Sequence, residues 1–140
     1  QWGDWLSYEP LESWGGGIDT NVDGRKEQRP EAREYWSFLQ GCYWISNAGM
    51  MADMARATGR DALRWIAMAQ RAREHVRLRH INSDGTFRLD ILNTMQTPAL
   101  FALRNKLVDG QAKENMKQRL RRNFEEHGNC LQTGFLGTSI

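Results

Sequence analysis

From Pro30 onward, apolar side chains return every three or four residues. Tyr35, Leu39, Cys42, Ile45 and Ala48 or Met51 fall on one face of the segment that ends at Gly59, the spacing of an α-helix with a buried stripe. Trp36, Phe38, Tyr43, Trp44 and Met50 widen that stripe until most of the circumference is apolar, which predicts an inner helix of a layered helical fold. Pro30 and Glu31 open the segment, and Arg56 precedes the stop at Gly59, as the charge and φ preferences of helix ends require. Gly41 costs about 1 kcal/mol relative to alanine inside a helix and therefore marks a bend or a close helix contact.

A second helix is predicted from about Asp61 to Arg79. Its stripe is narrow, made of Ala62, Trp65 or Ile66, Ala69, Ala72 and Val76, with Arg64, Arg71, Arg73, Glu74, Arg77 and Arg79 on the wet side. Asn82, Ser83, Asp84 and Gly85 then form a turn, and Thr86 to Ile91 read as a short extended piece. Thr97 is placed as the cap of a third helix that starts at Pro98 and runs through the apolar ALFAL to about Leu103. The fourth runs from about Gln111 to His127, with Ala112, Met116, Leu120 and Phe124 at intervals of four and Gly128 as its stop. Buried and amphipathic helices alternate. The fold class that follows is all-α, built of helical hairpins with an inner and an outer member, the unit from which a ring of paired helices is assembled.

Residues 1–30 have a different texture. Trp2, Trp5, Tyr8 and Trp14 stand among Asp4, Glu9 and Glu12, before a glycine triplet at 15–17 and a run of turn-forming residues. This stretch is expected to be loop-rich, with 31–140 forming the helical hairpins. Indole rings beside carboxylates suit a sugar, whose CH faces stack on rings and whose hydroxyls need polar partners. Core tryptophans with a few surface acids are the plainer alternative.

With 140 residues the chain has room for one ordinary domain, and no apolar run approaches a membrane span. A net charge of +2 gives no case for nucleic acid, and the basic residues of KENMKQRLRRNF fit a solvated helix face. Asp19, Asn21, Asp23 and Gly24 resemble the first half of a calcium loop, but Pro30 occupies the twelfth position, so turn chemistry is the preferred reading. His75, His80 and His127 show no zinc spacing and are read as surface or capping residues, with His80 beyond the second helix. Cys42 and Cys130 are read as two buried thiols. No metal site and no cofactor is expected, and no glycine-rich phosphate loop is present.

Several stretches carry a resemblance: GDWL at Gly3 to Leu6, the aromatic helix YWSFLQGCYWISNAGMMADMARATG, DGTFRLDILNTMQTPALFAL, and the closing HGNCLQTGFLGTSI. Together they resemble the catalytic domain of bacterial alpha-L-rhamnosidases, glycoside hydrolase family 78. Met95, Gln96 and Thr97 match the family's Thr-Gln-Thr-like segment, and Leu131, Thr133, Gly134, Phe135, Gly137 and Thr138 match its Leu-x-Thr-Gly-Phe-x-Gly-Thr signature. The resemblance implies an (α/α)6 barrel and inverting hydrolysis of terminal alpha-L-rhamnosides by a protonated acid and a carboxylate base, about 6.5 to 9.5 Å apart.

The family's acid lies in a motif upstream of GDW and its base in a Thr-Thr-x-Trp-Glu motif beyond the closing signature. Neither motif occurs in these 140 residues. Residues 1–140 are accordingly expected to be part of the catalytic domain, truncated at both ends, without catalytic residues of their own and inactive alone. Their expected partners are a rhamnose-containing glycan or glycoside and the remaining barrel segments of the longer chain. By resemblance Trp5 is the sugar-facing ring, Asp4 its polar neighbour, and Glu9 a further substrate-binding candidate. A noncatalytic all-helical carbohydrate-binding or structural interaction module is the alternative.

Overall fold

A computed structural model describes residues 18–20 and 26–133. Four α-helices dominate it: α1 (Pro30–Ala57), α2 (Leu63–His80), α3 (Gln96–Arg104) and α4 (Gly110–Glu126). A short antiparallel hairpin, β1 (Ile18–Thr20) and β2 (Lys26–Gln28), precedes them, pairing Ile18 with Gln28 and Asp19 with Glu27. Within the stretch read as loop-rich, these six positions form strands that the sequence pattern did not single out. Neither strand alternates apolar and polar residues, so the usual strand signal is missing. The pairing also sets Asp19 and Glu27 opposite one another in strands, which is not the layout of a helix-flanked calcium loop.

α1 and α2 form an antiparallel pair. Arg79 near the end of α2 donates to Glu34 near the start of α1 at 2.7 Å, while Ala52 and Ala55 pack with Ala62, Trp65 and Ile66 at the other end. α3 runs parallel to α1, since Tyr43 meets Phe101 and one turn later Ser46 meets Asn105. α4 returns antiparallel to α3, bringing Asn123 beside Gln96. The result is a helical fold of two paired-helix units, in which the end of α2 lies by the start of α1 and the end of α4 by the start of α3.

The core lies where α1 faces its neighbours. Tyr35, Phe38, Leu39 and Cys42 are fully buried, and Val76, Phe87, Leu92, Met95, Phe101 and Met116 close around them. Phe38 sits edge-on to Phe87 at 5.3 Å and to His80 at 5.6 Å, a favoured aromatic geometry. The other side of α1 departs from the expectation of burial on most of its surface. Trp44, Met50, Met51 and Met54 are exposed, Met54 by 61%. Periodicity identifies apolar positions, but burial needs a partner, and among the described residues none covers this side.

Helix ends follow their signals in most places. Gly59 adopts φ +67°, and the following Arg60 N–H returns to Ala55 O at 2.8 Å, closing α1. Gly128, also at φ +67°, does the same for α4, with Asn129 N–H reaching Phe124 O at 2.9 Å. The cap assigned to Thr97 is corrected: α3 begins two residues earlier, at Gln96, the extended Met95 is its N-cap, and no side chain caps it. Met95 is anchored in the core and Thr97 is fully buried in the first turn. Pro98 remains where a missing N–H costs no helical bond.

Between α2 and α3 the extended piece is also shorter than expected. Phe87 bridges Ile81, but Asp90–Thr94 forms a 3-10 helix. Asn93 explains the reversal, because its side chain accepts from Phe87 N–H at 2.8 Å and donates to Phe87 O at 3.0 Å, folding the segment back.

Two further corrections concern burial. Cys42 is buried as expected, but Cys130 is exposed, standing after the Gly128 stop of α4. His80 is neither a surface residue nor beyond the helix: it is the last residue of α2 and only 6% exposed, held against Phe38. Burial pushes its pKa down to about 4, against the pull of Glu34, whose nearest carboxylate oxygen is 3.7 Å from Nδ1; Arg79 and His75 add to the depression.

Two predictions follow from this packing. A Cβ on Gly41 would collide with Val76 Cγ2, so Gly41→Ala is expected to lose about 1 to 3 kcal/mol by overpacking, more than the roughly 1 kcal/mol of helix propensity it gains. Chemical denaturation of G41A, V76A and the double variant checks this, and the double variant should be more stable than the sum of the singles. His80 binds its proton more weakly folded than unfolded, so its contribution to stability is complete above pH 6.5 and declines as pH falls toward 4. The Glu34 carboxyl, held low chiefly by the Arg79 hydrogen bond, loses stability in the same acid direction. His80→Gln should flatten the decline between pH 6.5 and 4, worth on the order of 2 to 3 kcal/mol for the wild type. Melting curves that shift with pH in parallel for both proteins would contradict it.

Candidate functional site

At the start of α3 the chain places a buried amide. Gln96 is the first residue of α3 and 1% exposed. Its Nε2 donates to Asn123 Oδ1 at 2.8 Å and to Cys130 O at 3.3 Å, and its Oε1 accepts from Gln132 N–H at 3.0 Å. Asn123 in turn donates to Thr94 O at 2.7 Å, and His127 Nδ1 lies 2.7 Å from Asn123 O. One side chain thus joins the start of α3, the end of α4 and the segment 130–132 that leaves it. A buried polar group must be paired to be tolerated, and here both ends of the amide are paired. Thr97 and Thr133 are buried on either side of this junction.

Two stretches singled out in the sequence, 95–97 and 131–133, are therefore brought together. Sequence reasoning marked Gln96 only as part of a motif and missed its bonds. Helical periodicity counts a polar residue as wet, and the one local signal was the ProN-terminal context of Met95-Gln96-Thr97-Pro98, which places Gln96 at a helix start. Trp5, Asp4 and Glu9 lie outside the described residues, as do Asn21, Asp23 and the positions from Gly134 to Thr138.

Three perturbed carboxylates among the described residues are arranged to stay ionised. Glu34 is held low by Arg79, Asp84 by the Thr86 backbone N–H and hydroxyl, and Glu114 by Lys117. A general acid at neutral pH needs the opposite shift. These three carboxylates therefore serve as structural acceptors. Asp84 shows how: it accepts from Thr86 N–H at 2.9 Å within the turn whose Gly85 carbonyl is bound by Arg119 of α4.

A groove of about 650 Å3 opens along α1 and the end of α3, lined by Tyr43, Ser46, Asn47, Asp53, Arg73 and Asn105 among others. Its floor is fixed by Asn105, which is 5% exposed, accepts from Ser46 Oγ at 3.1 Å, donates to Phe101 O at 3.0 Å and offers its carbonyl to Arg73 Nε at 2.9 Å. Tyr43 stands edge-on to Phe101 at 5.3 Å along one wall. The groove is open and mixes polar with apolar walls; it lies away from the Gln96 junction, toward the far ends of α1 and α3.

Against known proteins, the family profile of the bacterial alpha-L-rhamnosidase 6 hairpin glycosidase domain matches residues 1–140. The chain belongs to that family. Its class is a rhamnosidase-like hairpin glycosidase domain, distantly related to the alpha-L-rhamnosidases of glycoside hydrolase family 78. Among solved structures, a Streptomyces avermitilis alpha-L-rhamnosidase complexed with L-rhamnose superposes with a TM-score of 0.70 at 23% identity, over 98% of this chain and 11% of that one. At that identity the likeness concerns the fold, and the chain spans only a small part of that structure. No curated protein sequence matches.

Because Cys130 is exposed and Cys42 buried, with its thiol pKa raised by that burial, the two should separate in reactivity. A thiol reagent is expected to modify Cys130 in the native protein and Cys42 only on unfolding. Peptide mapping of the labelled protein checks this, and native labelling of Cys42 would contradict the packing of α1.

Proposed function

We propose that residues 1–140 are part of the catalytic domain of an inverting alpha-L-rhamnosidase that hydrolyses terminal alpha-L-rhamnosides. The observation that carries the reading is the family match across the whole of residues 1–140. The paired helices, with parallel α1 and α3 each backed by an antiparallel partner, support it as two hairpins of an (α/α)6 barrel. The exposed apolar side of α1 supports further hairpins packing there, since a contiguous exposed stripe of large apolar residues is uncommon on a free-standing module.

In this reading the acid that protonates the leaving oxygen and the base that activates water come from chain outside 1–140. The segment that enters α1 contributes to sugar binding, with Trp5 stacking on the sugar, and with Asp4 and Glu9 supplying hydrogen bonds or holding the loop. The rhamnose ligand of the Streptomyces structure favours rhamnose over another hexose as the terminal sugar.

The test is Trp5→Ala in the full-length protein. Turnover of an aryl alpha-L-rhamnoside is expected to fall on the order of 100-fold in kcat/KM, about 2.7 kcal/mol of transition-state stabilisation, with a near-normal melting temperature. A core tryptophan would behave in reverse, losing about 3 to 5 kcal/mol of stability while the folded fraction keeps its turnover. Aryl glycosides of other sugars, assayed alongside, identify the sugar. Sugar binding without turnover of any of them would favour a noncatalytic module.

A further inference from the structure

Beside the groove, α3 ends on a strained residue. Its closure runs from Lys106 N–H to Leu103 O at 3.1 Å and from Leu107 N–H to Ala102 O at 2.9 Å, a turn that needs left-handed backbone between them. The ends of α1 and α4 meet that need with Gly59 and Gly128, both at φ +67°. α3 meets it with Lys106 at φ +54°, where a Cβ crowds the following carbonyl. Strain of this kind persists where a side chain is wanted at that position, and the Lys106 side chain lines the groove. Two further cations line it, Arg73 from α2 and Arg104 from α3, against one acid, Asp53. Asp53 already carries Arg56 at 2.8 Å, so the groove keeps a positive excess. Arg73 is also held in place: its Nε donates to the carbonyl of Asn105, a residue 5% exposed and bonded to Ser46 and Phe101. That bond uses one nitrogen of the guanidinium and leaves the two terminal ones, whose fork matches the oxygens of a carboxylate or phosphate.

We propose that this groove binds a small anionic ligand, whose carboxylate or phosphate is taken by Arg73 and Lys106 and whose apolar face lies against Tyr43 and Phe101. Arginines and lysines on the wet face of a helix are ordinary, and α4 carries several. What separates this group is a fixed guanidinium and a strained lysine on one cavity, with an aromatic pair beside them at 5.3 Å. The cavity, about 650 Å3, has the size of a small-molecule site. Open water screens its charges, so binding is expected to be weak and to weaken further with salt. Met50 lies at the α1 edge of the groove, so further helices packed there add a wall. The proposal does not depend on the glycosidase reading, because it requires no turnover.

The experiment acetylates the native full-length protein with an N-hydroxysuccinimide ester and follows Lys106 by peptide mass spectrometry, with Lys113 and Lys117 of α4 as controls in the same sample. Saturating glucuronate or glucose 6-phosphate should slow acetylation of Lys106 at least fivefold, while neutral glucose leaves it unchanged and neither control lysine responds. Which of the two anions protects identifies carboxylate or phosphate as the group bound. Arg73→Met should abolish the protection while Cys42 stays closed to thiol reagents, the sign of an intact core. If that variant does not fold, Arg73→Lys takes its place, keeping a charge without the fork, and protection should fall. Lys106→Gly should slow amide exchange at Leu107 about fivefold by relieving the left-handed strain. Protection by glucose as well, or of all three lysines together, would overturn anion recognition at this groove. Protection by neither anion would overturn the site. A Lys106 that resists acetylation in the ligand-free protein would show the groove covered by chain outside 1–140, and would overturn it too. Exchange at Leu107 unchanged or faster in Lys106→Gly would contradict the strain from which the proposal starts.

Discussion

Burial of one side of α1 is the constraint on which the rest of the structure depends. Its 28 residues present Tyr35, Phe38, Leu39 and Cys42 to the interior, and α2, the α2–α3 turn and α3 are placed by what each adds to that surface. α2 reaches it through the close approach at Gly41, where the absence of a side chain admits Val76. The turn between α2 and α3 reaches it through Phe87, stacked edge-on to Phe38. α3 reaches it through Phe101 and Asn105, whose pairing with Tyr43 and Ser46 makes the two helices parallel. Only α4 depends on another intermediary, lying against α3 and supplying Met116 to the shared core. Each fully buried phenylalanine or leucine of this set contributes on the order of 2 kcal/mol, so losing one contact surface threatens the whole arrangement.

Polar chemistry is confined to the margins of that core. The amide of Gln96 gathers α3, α4 and the departing segment, while Glu34, Arg79 and His80 tie the start of α1 to the end of α2. At the far end of α3, Asn105 receives Ser46 and Arg73. These groups are neutral or paired, and the perturbed acids are held ionised, which suits positioning and not proton transfer.

What was legible in the sequence was legible because it depends on local chemistry. Pro30, Gly59 and Gly128 bound α1 and α4 within a residue or two of where the chain bends, because proline lacks a donor and glycine tolerates positive φ wherever the neighbours sit. The stripe of α4 was legible because Met116 and its i±4 neighbours meet one partner, α3. Features that depend on distant segments were not. His80 follows a run of arginines and reads as wet, yet Phe38, 42 positions earlier, encloses it. Gln96 reads as a polar helix start, yet its partners lie 27 to 36 positions away. The β1–β2 hairpin pairs strands that carry no alternation, so nothing local announces it. Trp5, Asp4 and Glu9, chosen for their chemistry in an aromatic and acidic stretch, remain proposals of the same kind, outside the described residues.

The exposed side of α1 makes the central claim measurable. If these hairpins belong to a larger ring, Met50, Met51 and Met54 are exposed here but covered by further helices of the longer chain, whereas Met95 and Met116 are buried in either case. Peroxide oxidation of the native full-length protein, followed by mass spectrometry of each methionine, compares the two groups within one sample. The account predicts that Met50, Met51 and Met54 oxidise about as slowly as Met95 and Met116. Oxidation of the α1 methionines at the rate of the unfolded protein, with Met95 and Met116 still protected, would contradict it.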